Sequence, residues 1–234
     1  MIILTPETAA HQVAELIQHY PDLEVVESNQ ELIRLRGRIY IYRTTFNYTL
    51  NRSYEVEINI PLNSTCLPTV MDIEGAVDAS FPHRYINGEL CLETDTAVKL
   101  YFIEGFNLLK WIREFVEPYY FSYDYYCRYG VFPFGEHPHG IDGIMDTYQD
   151  IFLEKDMLAT LKLMTYCCET RKYRGHANCP CGSGEKIRNC HGKGLLPIMT
   201  DSRKKEIVIN DTKYIMEEIE KYELARKNKA ATKR

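Results

Sequence analysis

Cys91 lies in the stretch Phe81-Pro82-His83-Arg84-Tyr85-Ile86-Asn87-Gly88-Glu89-Leu90-Cys91-Leu92-Glu93-Thr94, a short polar turn between an apolar strand region and an amphipathic helix. A turn of this kind displays a thiol. Its thiolate attacks carbonyl carbon well, provided that a partner can reach it and that nearby donors or cations favour the ionised form. His83, Arg84 and the backbone amides around Asn87-Gly88 are the candidates for that duty.

A second constellation is Cys179-Pro180-Cys181-Gly182-Ser183-Gly184-Glu185-Lys186-Ile187-Arg188-Asn189-Cys190-His191-Gly192. Cys-x-Cys, eight residues and Cys-His bring four ligands suited to a closed tetrahedral zinc site. Gly182, Ser183 and Gly184 permit the tight backbone turn that folds both pairs onto one ion. A closed site has no open position for substrate, so Zn2+ here is expected to be structural. Lys186, Arg188 and Lys193, with Arg171, Lys172 and Arg174 before them, could meet an acidic protein patch or nucleic acid, or form a solvated surface.

A third stretch is rich in aromatics from Tyr119 to Phe134 and continues as Gly135-Glu136-His137-Pro138-His139-Gly140-Ile141-Asp142-Gly143. Such rings stack on bases or pack a core, and packing is the expectation here. The imidazoles of the Gly/His loop are open to three readings: a proton shuttle beside Cys91, with His139 reaching in, a metal ligand, or a structural turn.

The elements that must position these residues follow from periodicity. Thr5-Pro6-Glu7 opens a helix with a hydroxyl cap and a proline at the first turn. Ala9, Val13, Leu16, Ile17 and Tyr20 share its apolar face, and Pro21-Asp22 ends it. Apolar residues alternate at Ile33, Leu35, Ile39 and Ile41, and again at Tyr54, Val56, Ile58 and Ile60. Two antiparallel strands are predicted, joined through a polar turn region at 47–53, with Arg34, Arg36 and Arg38 set against Glu55 and Glu57. Residues 70–73 form a third strand leading to the cysteine turn. Leu108, Leu109, Trp111, Ile112, Phe115, Val116, Tyr119 and Tyr120 make one broad helical stripe. Residues 144–164 are helical in pattern with a break near Glu154 or Asp156, and Asp211-Thr212 caps a terminal helix with Tyr214, Ile215, Ile219 and Tyr222 on one face. The tail, 226–234, is basic, has no apolar residue except alanine, and is expected to fray.

The 234 residues suffice for one sizeable core and an appendage, and 45% apolar content is that of a folded soluble protein. Neither a membrane-length apolar run nor a signal-peptide pattern is present, so a cytoplasmic location is expected. Three of the eight cysteines crowd into the Cys/His constellation and the rest are scattered, which fits a reducing compartment. The net charge of −5 conceals an asymmetry of −12 over 1–168 and +7 over 169–234. Two modules with different partners are therefore expected, 1–168 and 169–234.

The run Asn87-Gly88-Glu89-Leu90-Cys91-Leu92-Glu93 resembles the active-site region of ubiquitin-conjugating enzymes. In that family a His-Pro-Asn tripeptide precedes a loop and then glycine, any residue, an aliphatic residue, cysteine, leucine and an acid. Gly88, Leu90, Cys91, Leu92 and Glu93 match in order, and His83 stands where the tripeptide begins. Arg84 and Tyr85 replace proline and asparagine, and the loop is two residues shorter. The resemblance covers about residues 5–120 and implies an α+β fold: an amino-terminal helix, a meander of antiparallel strands, the active-site loop and a long helix, with 121–168 as an extension. It implies that Cys91 carries a thioester and that Glu93 orients or deprotonates the incoming amine. The oxyanion donor stays open among His83, Asn87, loop amides and His139.

The Cys/His constellation resembles the SEC-C motif, a zinc knuckle at the end of bacterial SecA and appended to many bacterial proteins. Its ligands correspond to Cys179, Cys181, Cys190 and His191. Conjugating-type proteins with such a knuckle resemble those of bacterial antiphage operons built around cyclic-oligonucleotide signalling. The partners this implies are an activating enzyme, a ubiquitin-like protein or cGAS-like nucleotidyltransferase, and a target protein, with nucleic acid not the expected partner. Two rival readings are a catalytically silent scaffold of the same fold and a nucleic-acid-binding protein using the aromatic stretch and basic end.

Overall fold

The computed structural model describes residues 3–135 and 138–231, with side chains as far as Arg226; Glu136 and His137 of the Gly/His loop lie outside the described residues. The architecture is α+β. Two compact units are present, Met1–Asp95 with Phe102–Glu136, and Thr96–Tyr101 with His137–Arg234.

The first unit opens with α1 (Pro6–His19), capped by a reciprocal pair of hydrogen bonds between Thr5 and Thr8. Ala9, Val13 and Leu16 form its buried face. Four strands follow, β1 (Leu23–Ser28), β2 (Leu32–Thr45), β3 (Tyr48–Pro61) and β4 (Thr69–Asp72), pairing antiparallel in chain order. β1 was not expected, because Leu23-Glu24-Val25-Val26-Glu27-Ser28 buries only Leu23 and therefore lacks clean alternation. β2 and β3 outrun their predicted spans. The turn between them is not the polar region 47–53 but the two residues Phe46 and Asn47, with φ of 54° and 58°. Both values suit a two-residue hairpin whose twist matches its strands. The register sets Arg36 opposite Glu57 and Arg38 opposite Glu55, with ion pairs at 3.1 and 3.8 Å on the solvated face.

The other face of the sheet is apolar: Leu35, Ile39, Ile41, Tyr54, Val56, Ile58, Ile60 and Val70 have no exposed surface. The long helical stripe covers it. α3 (Leu108–Trp111) passes into a π turn (Ile112–Val116) and then α4 (Glu117–Tyr129). Pro118 explains the π turn, since a proline ring clashes with the carbonyl four residues earlier and supplies no N–H, and a wider turn relieves both. Tyr120 stacks on Tyr54 with ring centroids 3.9 Å apart. Phe121 packs edge-on against Tyr48. Tyr119, Tyr120, Phe121 and Tyr123 are buried, so the first half of the aromatic stretch is core.

The second unit is helical: residues 96–101 of α2 (Asp95–Tyr101), α5 (Gly140–Phe152), α6 (Met157–Glu169), α7 (Gly192–Thr200) and α8 (Ser202–Ala231). Met145, Tyr148, Phe152, Leu163, Met164 and Cys167 share one core with Leu195, Ile198, Val208 and Ile215. That shared core is why residues 137–168 group with the knuckle, whereas the sequence reading attached 121–168 to the first module. The break between α5 and α6 falls where expected, with Leu153 left-handed and Asp156 capping α6 through the Ala159 amide.

Asp211 is not a cap. The terminal helix begins nine residues earlier, at Ser202, and the Asp211 carboxylate inside it accepts hydrogen bonds from Tyr148 at 2.7 Å and Thr96 at 2.8 Å. Asp201 supplies the turn at the true start, accepting from the Arg203 amide. Of the apolar residues assigned to one face of that helix, Ile215 is buried while Tyr214, Ile219 and Tyr222 are exposed. The helix continues through Ala231, so the tail is helical to that point, and 232–234 lie outside the described residues. Among the described residues no helix is long and apolar enough to cross a membrane.

Candidate thiol site and metal centre

β4 ends at Asp72, whose Oδ2 accepts the Val77 amide at 2.8 Å as the chain turns away. The chain then returns along the strand: the Leu90 amide donates to the Val70 carbonyl at 2.8 Å, and Met71 pairs with Glu89. On its other side Arg84 pairs with Leu90, the Cys91 amide donates to the His83 carbonyl at 2.8 Å, and the Tyr85 amide donates to the Glu89 carbonyl at 2.8 Å. Residues 83–91 are therefore a hairpin pinned to the edge of the sheet. Gly88, at φ +90°, closes its tip by donating to the Tyr85 carbonyl.

Alternation across this hairpin decides what points where. Leu90 is buried, so its neighbours Glu89 and Cys91 face the other way, and both are partly exposed. His83 is directly opposite Cys91, and Tyr85 is its diagonal neighbour. The Tyr85 hydroxyl donates to Cys91 Sγ at 3.4 Å, and a ring nitrogen of His83 lies within 4.8 Å of the same sulfur. The His83 ring is held between Phe81 and Phe132, with centroids at 5.5 and 5.3 Å.

The remaining predicted residues of the thiol site fall as follows. Asn87 braces the turn, its amide donating to Glu89 Oε2 and its oxygen accepting the Glu89 amide, both at 3.1 Å. Glu93 accepts the Thr94 amide at 2.7 Å. His139 is the residue before α5 in the second unit, exposed and extended. Burial pushes the Cys91 thiol up, the Tyr85 hydroxyl pulls it down, and the Glu93 carboxylate adds to the rise. The sulfur is thus mainly a thiol at neutral pH.

In the second unit the knuckle is a small hairpin followed by a single 3-10 turn (Ile187–Asn189). Asn178 pairs with Lys186, and the Cys179 amide donates to the Glu185 carbonyl at 2.7 Å. Gly182 and Gly184 take left-handed φ of 94° and 80°. One ligand atom from each of Cys179, Cys181, Cys190 and His191 lies within 4.8 Å of the others, so the cluster could hold a metal ion. The Cys181 and Cys190 sulfurs are 3.7 Å apart, close to the roughly 3.8 Å that two Zn–S bonds at a tetrahedral angle require. His191 Nδ1 is 3.2 Å from the sulfurs of both Cys179 and Cys190. Its other nitrogen, Nε2, is 3.2 Å from Glu154 Oε2. Against the effect of burial, the hydroxyl and amide of Ser183 hold Cys181 down at about 6, so this sulfur presents a thiolate at neutral pH.

Two residues of these sites were missed by sequence reasoning. Tyr85 was legible in principle, because a hairpin pairing Arg84 with Leu90 makes position 85 diagonal to 91. Glu154 carried no local signal, since it meets His191 only through the helical packing of the second unit. Comparison with known proteins gives no match to this chain, whether to a family model, a curated protein or a solved structure.

Proposed function

We propose that this chain is an acyl carrier of the ubiquitin-conjugating type. Cys91 accepts an acyl group as a thioester and passes it to an amine. The observation that carries the reading is the partly exposed Cys91 sulfur on a hairpin pinned to β4, with an imidazole nitrogen within 4.8 Å and a phenol hydroxyl at 3.4 Å. The order of helix, four-strand meander, cysteine turn and long helix supports it, as do Gly88, Leu90, Cys91, Leu92 and Glu93 in the sequence.

The donor's carbonyl carbon bonds to Cys91 Sγ, its bond to the leaving group breaks, and the leaving group departs with the thiol proton. An amine then displaces the sulfur, forming an amide and returning the thiol. A raised thiol pKa suits a carrier, because a sulfur that is a poor leaving group is released slowly and its acyl form outlasts encounters with water. Glu93, two residues from the sulfur, orients or deprotonates the amine. The donor is the carboxy terminus of a ubiquitin-like protein or of a cGAS-like nucleotidyltransferase, loaded by an activating enzyme in bacterial antiphage defence.

In the second unit Cys179, Cys181, Cys190 and His191 would hold Zn2+, which supplies a closed structural link rather than a reacting centre. Held there, the ion would fix the hairpin to the start of α7.

Co-expression with the products of adjacent genes tests the reading. Wild type is expected to give a reductant-labile adduct on a non-reducing gel, and Cys91→Ala none; an undiminished adduct in Cys91→Ala would refute the assignment. The raised Cys91 pKa also favours a second reading, a silent scaffold of the same fold. In that case Cys91 would react with iodoacetamide more slowly than its ionised fraction allows.

A further inference from the structure

Acyl transfer at a thioester passes through a tetrahedral carbon bearing a negative oxygen, and that oxygen needs a hydrogen-bond donor. Several amides of the hairpin are already engaged. The amides of Tyr85, Gly88, Leu90 and Cys91 all donate to carbonyl oxygens of the hairpin or of β4, and the Glu89 amide donates to Asn87. The Asn87 side-chain amide is turned to Glu89. A side-chain donor already touches the reacting sulfur: the hydroxyl of Tyr85, 3.4 Å from Sγ.

We infer that Tyr85 is a catalytic residue whose phenol hydroxyl donates to the oxyanion formed when an amine attacks the Cys91 thioester. The inference rests on the acyl-carrier reading above. In a thioester the carbonyl oxygen is one bond from the carbon attached to sulfur. A hydroxyl in contact with the sulfur reaches that oxygen by a small rotation about the Cβ–Sγ bond, into the 2.7–3.1 Å range such donors need.

Three further observations bear on the role. Tyr85 is held at its backbone from both sides, donating to Glu89 and accepting from Gly88, so only two side-chain torsions remain to be fixed. Its proton is secure: the contact with Cys91 and partial burial hold the phenol up at about 12, so it is a donor throughout the physiological range. Tyr85 is also exposed, at 54%, and Cys91 beside it is partly exposed.

The step balances as follows. The amine lone pair forms the C–N bond and the carbonyl π pair moves to oxygen, where the Tyr85 hydroxyl donates to it without giving up its proton. Collapse restores the carbonyl and breaks the C–S bond. The electron pair leaves on Cys91 Sγ, and the proton lost by nitrogen ends on that sulfur.

The test uses the full-length chain in a Cys66→Ser, Cys127→Ser background, with 4-nitrophenyl acetate as acyl donor and ethylamine as acceptor. Acetyl-Cys91 is formed first, located by peptide mass spectrometry, and its discharge to ethylamine is timed. Because the carrier is already loaded, the discharge rate does not depend on the ionisation of the thiol. Tyr85→Phe keeps the ring and removes only the hydroxyl; it is expected to slow discharge by about 10- to 100-fold. Discharge within about twofold of wild type in Tyr85→Phe would overturn the inference and leave the acyl-carrier reading intact. So would a loss found in His83→Phe alone, which would make the imidazole the donor. If acetyl-Cys91 of the wild type passes its acetyl group to ethylamine no faster than the acetyl thioester of N-acetylcysteine does, the carrier reading fails and the inference falls with it.

Discussion

Glu154 and His191 meet at 3.2 Å, carboxylate oxygen to Nε2, while the opposite nitrogen of the same ring faces two cysteine sulfurs. The carboxylate sits on the bend between α5 and α6, where the amides of Lys155 and Asp156 donate to its other oxygen. A proton on Nε2, given to Glu154, leaves the Nδ1 lone pair aimed at the cluster. This is the tautomer a metal ligand needs.

Glu154→Ala is therefore expected to weaken metal retention without removing a ligand. A loss of about 10- to 100-fold in affinity is the usual size of such an effect. Competition with a chromogenic chelator measures it, and an unchanged affinity would mean that the carboxylate only braces the bend.

Removing a metal bound at the Cys/His cluster should loosen the second unit and spare the first. The knuckle joins directly to α7, and Cys179 and Ile187 belong to the same core as Leu195 and Val208. Chelation is expected to expose backbone amides over 177–200 to hydrogen exchange while β2 and β3 stay protected. Equal deprotection of both regions would contradict this.

Asp211 anchors Tyr148 and Thr96 from the middle of α8. Asp211→Ala leaves the buried Tyr148 hydroxyl without that acceptor, at a cost of about 1–3 kcal/mol. A matched denaturant titration with Tyr148→Phe checks it, because the two losses should be less than additive.

Cys167 adds a pH dependence. Burial pushes this thiol up to about 12, above the 9.0 it has in an open chain. Between those values the unfolded chain releases a proton that the folded chain keeps, so stability is full below about pH 9 and falls as pH rises from there towards 12. The slope is at most about 1.4 kcal/mol per pH unit. Cys167→Ala should flatten this part of the stability curve.

Much of the fold could be read because it is written in local periods. Alternation at 33–41 and 54–60 gave the two long strands, and Thr5-Pro6 marked the first helix. β1 escaped because its side chains lack a buried period, and the start of α8 escaped because Asp211-Thr212 looks like a cap while its carboxylate is spent on tertiary partners. The sites divide the same way. The Cys/His cluster was legible from spacing, since its ligands are close in sequence. Tyr85 was hidden because the hairpin at 83–91 is set by pairing with β4, which no local period reports. Glu154 lies 37 positions before His191, and only packing brings them together.

Cys91 is proposed to carry an acyl group. The most direct measurement is mass spectrometry of the Cys91 peptide from protein isolated from its own cells, with thiols alkylated at lysis. The account expects a fraction of that peptide to bear the carboxy-terminal fragment of another protein, released by hydroxylamine and absent in Cys91→Ala. Recovery of Cys91 only as the alkylated thiol, under conditions in which a spiked thioester standard survives, would contradict it.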